Sequence, residues 1–193
     1  MRYKPGHREE AKARILDAAG GGFRKHGYGG IGVDGLAQEA GVTSGAFYGH
    51  FKSKEAAFQE AIAQGLDKLR ASIEKFRAEH GEGWVEAYVD FYLGPRRTCD
   101  LNESCTMQSL SSEVGRANEA IRSTYQAEIV KVVSAVAEGF SGGTTAERER
   151  RAWAFLLILS GGVTMARAVD DPAVAETIAA AARVAALAAA TSG

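Results

Sequence analysis

Apolar residues recur along this chain three and four apart, the period of helices that bury one face. Ile15, Ala18, Ala19 and Phe23 form the first such stripe and predict a helix from about His7 to His26. Gly20, Gly21 and Gly22 lie inside it, each costing about 1 kcal/mol of helix propensity against alanine, which fits close packing on a neighbour. Between Val33 and Lys54 the pattern breaks into two short helices around a tight turn. Leu36 and Ala40 share a face there, Ala37 permits a close crossing, and Gly41 supplies positive φ at the helix end. Val42 is expected in the buried corner, Thr43 or Ser44 as the cap of the next helix, and Phe47 and Phe51 on its inward face. Phe58, Ile62, Leu66, Leu69, Ile73 and Phe76 then mark one long amphipathic helix over 54–80, ended by Gly81 and Gly83. Helices follow over 84–93, stopped by Gly94-Pro95, and over 105–114, 117–140, 147–168 and 172–190. A polar loop occupies 96–104, and Ser141-Gly142-Gly143 breaks the chain again. The expectation is an all-α protein of about nine helices.

Composition agrees: three prolines, abundant alanine and few β-branched runs favour helices, and 46% hydrophobic residues over 193 positions can bury a sizeable core. The net charge of −1 does not by itself suggest a nucleic-acid partner, but its distribution does. Residues 1–54 hold nine Lys/Arg against five Asp/Glu, whereas 55–193 hold fourteen against nineteen, so a basic end precedes an acidic remainder. The N-terminus has no apolar leader, and the stretch Ala152 to Ala166 is short of the roughly 20 residues a bilayer span needs, so a soluble, cytoplasmic protein without a membrane partner is expected. Two unevenly spaced cysteines make neither a metal motif nor a disulfide framework. No Ser/His/Asp, paired-carboxylate, metal or phosphate-loop arrangement stands out, so the chain is not expected to be an enzyme or to carry a cofactor or metal.

Two short helices about such a turn form the helix-turn-helix pattern, whose second helix enters the DNA major groove. The stretch G-V-T-S-G-A-F-Y-G-H-F-K-S-K-E resembles the DNA-binding domain of the TetR/AcrR family of bacterial transcriptional regulators. The family's first helix is recognisable too, in A-K-A-R-I-L-D-A-A-G-G-G-F-R-K-H-G-Y, so the resemblance covers roughly the first third of the chain. Gly32 departs from it, standing where the family usually has a Ser or Thr N-cap. The resemblance implies a three-helix DNA-binding domain over 1–53 and a helical ligand-binding and dimerisation domain over 54–193. Ser44, Gly45, Ala46 and Gly49 would face base edges, with Thr43 at the helix entry, while Tyr48, His50 and Lys54 face the sugar-phosphate backbone. Those base-facing side chains lack the Arg or Gln fork of strong direct readout, so specificity would lean on DNA shape and water. Arg2, Lys4, His7 and Arg8 are further candidates for adjacent phosphates or the minor groove.

In the family the body encloses a small-molecule pocket, for which aromatic residues with polar tips are suited. The candidates here are Trp84, Tyr88, Phe91, Tyr92, Cys105, Met107, Leu110, Tyr125, Trp153 and Leu157. The stretch S-C-T-M-Q-S-L-S-S-E-V also resembles one branch of the family in which some members sense electrophiles or oxidants through that cysteine, although Ser104 replaces the branch's glycine. The last two helices carry Ala152, Phe155, Leu156, Leu159, Val163 and Ala166, then Ile178, Ala181, Ala182, Ala185 and Ala189, expected to pack against a second copy. The implied function is a repressor that dimerises on a pseudo-palindromic operator in double-stranded DNA and is released by a small-molecule inducer. Alternatives are a thiol-based sensor using Cys105 and, from another class, a TetR-like architectural DNA-binding protein.

Overall fold

The computed structural model describes residues 7–191, and the regular elements within them are all helical. The expected contacts of Arg2, Lys4 and the His7 side chain lie outside the described residues. In chain order the helices are α1 (His7–Gly30), α2 (Val33–Glu39), α3 (Ser44–Tyr48), α4 (Lys54–His80) and α5 (Trp84–Leu93). They continue as α6 (Pro95–Thr98), α7 (Thr106–Gly115), α8 (Glu119–Gly139), α9 (Thr145–Ala168) and α10 (Pro172–Thr191). Each helix expected from the pattern is present, and α6 adds a turn inside the expected loop, begun by a proline at its first position, where the missing N–H costs nothing.

The head is built on α1. Its expected stripe places Ile15, Ala19 and Phe23 in the core, and the helix breaks after His26 at Gly27, where φ is +75°. Phe23 meets Phe58 of α4 edge-on at 5.0 Å between ring centroids, and Tyr28 closes the cluster at 4.7 Å from Phe58. The glycine run is buried, and a Cβ on Gly22 would lie 3.2 Å from both Ile31 and Leu36, so it lets α2 lie close on α1.

Helix α4 links head to body. Ser53 caps it by accepting from the Ala56 amide at 3.0 Å, and Phe58, Ile62, Leu66, Leu69 and Ile73 are buried in the expected register. It is tied to α8 by Asn118 donating to Glu55 at 2.6 Å and by Gln59 donating to Thr124 at 2.7 Å. Where α7 crosses, a Cβ on Gly65 would overlap the Thr106 side chain, 2.7 Å from its Cβ, so this crossing requires glycine.

In α9 the structure differs from the pattern. Ala152, Phe155, Leu156, Leu159, Val163 and Ala166 are buried within the protomer, because this face packs on α5, α7, α8 and α10. The stripe read as an association surface is therefore internal core. The outward apolar residues are Trp153, Leu157 and Met165 of α9 with Val174 and Val184 of α10. Of the α10 residues named, Ala182 is buried against Gly162, Ile178 and Ala189 are half-buried, and Ala181 and Ala185 are exposed. Helix α10 is long and apolar enough to cross a bilayer by length and composition. Here it lies along α9, and its Arg183 donates to Asp90 at 2.7 Å and Glu86 at 2.8 Å on α5.

Candidate nucleic-acid interface and the cavity behind it

Backbone hydrogen bonds fix the turn between α2 and α3. The Gly41 amide donates to Gln38 at 3.0 Å and Val42 to Ala37 at 2.9 Å, with Gly41 at φ +65° as expected of a left-handed helix exit. Thr43 is the cap of α3, its hydroxyl accepting from the Ala46 amide at 3.2 Å. Ser44 instead donates to Asp34 at 2.5 Å, tying α3 back to α2. Val42 is half-buried rather than enclosed.

Phe47 and Phe51 anchor α3 inward, their ring centroids 5.1 Å apart, and this anchoring decides what faces out. Tyr48 is 55% exposed, and Thr43, Gly45, Ala46 and Gly49 share the exposed surface. His50 is half-buried. Lys54 is also half-buried, its ammonium 4.4 Å from the centroid of the Tyr28 ring. Of two flanking cations, Arg8 of α1, a candidate from the sequence, donates to the Gly49 carbonyl at 3.3 Å, and Lys52, exposed beside Phe51, escaped the sequence reading. Lys52 was legible in principle: with Phe51 turned inward, its neighbour must turn out. The surface thus combines a phenol, small side chains that allow close approach, and ammonium groups at its edge. It is suited to phosphate contacts that set position without reading sequence.

Behind the head lies a cavity of about 680 Å³, bounded by α1, the end of α2, α4, α5, α7 and the segment 96–105. It brings together Tyr88, Phe91, Tyr92 and Cys105. The other candidates lie elsewhere. Trp84 stacks on Phe140 at 5.9 Å and donates its indole N–H to Gly139 at 3.0 Å, so it is core. Met107 and Leu110 are buried outside the lining, and the Tyr125 hydroxyl sits 2.7 Å from that of Ser111. Trp153 and Leu157, at 40% and 67% exposed, belong to the outer face of α9. Burial raises the pKa of both Tyr88 and Tyr92, with Cys105 adding to it, so both phenols stay neutral.

Residues 15–61 match the family described as bacterial regulatory proteins, tetR family. The HTH-type transcriptional regulator YfiR of Bacillus subtilis is 31% identical over 86 residues, 44% of this chain and 42% of that protein. The HTH-type transcriptional repressor SCO4008 of Streptomyces coelicolor is 29% identical over 84 residues, 44% of this chain and 43% of that protein. Among solved structures, a TetR-family transcriptional regulator from Cytophaga hutchinsonii superposes with a TM-score of 0.78 at 14% identity, covering 96% of this chain and 97% of the other. The family's model thus matches the helix-turn-helix segment of this chain, and the whole chain shares the fold of TetR-family regulators. The matches to these two curated relatives span less than half of their length, and the likeness of the body to solved structures rests on fold alone.

Within the body Cys105 precedes α7 and is only 7% exposed, walled in beside Tyr92. Redox-sensing cysteines are solvent-accessible, so this burial does not favour a thiol switch. Arg96 lines the cavity together with Cys105, and Arg14, Arg24 and Lys68 add a charged wall that was not foreseen. Arg24 donates to the Asn102 carbonyl at 2.9 Å through Nε and again through its terminal nitrogen, joining α1 to the body. Burial lowers the Arg24 pKa, Asp17 offsets part of this, and the like charge of Arg96 adds to the lowering.

Proposed function

We propose that this protein is a cytoplasmic, DNA-binding transcriptional repressor that acts by binding alone, with residues 1–53 as its head and 54–193 as its ligand-binding and dimerisation body. The observation that carries the reading is the outward strip Thr43, Gly45, Ala46, Tyr48 and Gly49, held in place by the buried Phe47 and Phe51. In a dimer two such strips meet successive major grooves of a pseudo-palindromic operator, their centres about one helical turn apart or a multiple of it. Association uses the outer apolar face of α9 and α10, where Leu157 and Val184 are the most exposed large side chains. A ligand bound behind the head releases DNA by favouring a head spacing that fits the operator poorly, which requires it to bind that state more tightly.

Footprinting on DNA upstream of the protein's own gene and its neighbours tests this reading. Wild-type protein is expected to protect two half-sites about 10 bp or a multiple apart. The Leu157→Asp/Val184→Asp variant is expected to run as a monomer by light scattering and to lose that paired protection. Absence of protection by wild-type dimer at moderate salt would exclude the repressor.

A further inference from the structure

We infer that the cavity between the TetR head and body takes a small organic anion with an apolar or aromatic frame, its charged group held between Arg24 and Arg96 and one acceptor oxygen bound by the Tyr92 hydroxyl. This rests on the regulatory reading above only for its consequence on DNA; the binding itself does not. Three observations lead to the ligand class.

The cations outweigh the anions available to them. Asp17 is already held by Lys68, and Glu39 lies 3.5 Å from His26, which leaves Glu103 as the remaining carboxylate in the lining. Arg14 and Arg96 have no carboxylate partner among the described residues, and Arg24 spends two N–H groups on a neutral carbonyl. Arg24 and Arg96 also lie close enough for one charge to act on the other. Two guanidinium groups facing one space repel unless a negative group comes between them.

The Tyr92 hydroxyl supplies an independent sign. The side chain is 2% exposed and lines the cavity, yet its oxygen has no hydrogen-bond partner among the described residues. Cys105 adjoins it without meeting hydrogen-bond geometry. A phenol buried this deeply normally finds an acceptor, and a ligand oxygen would provide one. Tyr88, Phe91 and Leu69 complete the wall and suit an apolar frame.

Arg96 is placed by its backbone, which leaves its side chain free to face the cavity. Arg167 of α9 donates to the Arg96 and Cys99 carbonyls, both at 3.0 Å, and Arg97 pairs with Glu176 of α10. Arg24 is the moving part. An anion that draws its guanidinium away from Asn102 exchanges a head–body tether for a contact through the ligand, and so resets α1 against the body.

The test uses the full chain with two probes of matched frame, anionic 1-anilinonaphthalene-8-sulfonate and neutral N-phenyl-1-naphthylamine, titrated by fluorescence. The sulfonate is expected to bind wild-type protein about tenfold more tightly than the amine, and Arg96→Gln to erase that preference without changing amine binding. Tyr92→Phe keeps the ring, guards against a misfolded arginine variant, and is expected to weaken the sulfonate by a few-fold. Equal binding of both probes, or sulfonate binding unchanged in both variants, would overturn the proposal. DNA binding is read separately on ligand-free protein, so its failure would remove the regulatory consequence and leave the anion site standing.

Discussion

Replacing Phe23 with alanine is expected to destabilise the protein by about 3–5 kcal/mol, a large part of the 5–15 kcal/mol typical of a whole domain. Phe23 is fully buried and joins α1 to α4 through Phe58, while its other face stacks near Tyr28. The cavity left behind cannot close easily, because Gly22 already lets α2 approach to contact distance on the adjoining turn. Urea unfolding monitored by circular dichroism measures the loss. Hydrogen exchange should show the head opening first, since the body keeps the aromatic cluster of Trp84, Tyr88, Phe140 and Phe155, whose ring contacts do not involve Phe23. A cost below about 1 kcal/mol would mean that this junction is not the packed core described here.

The second large effect falls on function without touching stability. Tyr48→Ala combined with Lys52→Ala is expected to lower affinity for operator DNA by nearly a thousandfold, because a dimer loses four contacts of roughly 1 kcal/mol each. Both side chains are exposed, so each substitution should change unfolding free energy by no more than about 0.5 kcal/mol. Loss of affinity should be similar on different sequences, since phosphate contacts carry no base information. Fluorescence anisotropy on labelled duplexes measures it. Affinity that is unchanged, or that falls on only one sequence, would remove these two residues from the phosphate-binding role.

What the sequence revealed follows from how local each signal is. The inward set on α4 and the pair Phe47 and Phe51 were legible because a helical period shows directly which residues share a face. The cap of α3 stayed open between two adjacent hydroxyls, since the bond from Ser44 to Asp34 joins residues ten apart on different helices. On α9 the choice of buried face was beyond the pattern. Trp153 and Leu157 are as apolar as Phe155 and Leu156, and only the neighbouring helices decide which pair turns inward. The cations of the cavity were missed for the opposite reason. Arg14, Arg24 and Lys68 occupy polar positions that periodicity assigns to solvent, and their shared cavity forms only when α1, α4 and the segment carrying Arg96 come together. Pro95 marked the end of α5 correctly, but it also opened a new helical turn, because the residue that stops one helix is well suited to start another.

The most direct test of the DNA-binding head is the salt dependence of full-length protein binding to a duplex from its own upstream region. If two heads bearing Tyr48, Lys52 and Lys54 grip the backbone, the logarithm of affinity should fall linearly with that of salt concentration, with a slope of about −4 or steeper. Lys52→Ala should make that slope shallower by about 1 for each head engaged. Binding that is absent at low salt, or indifferent to salt, would contradict the account.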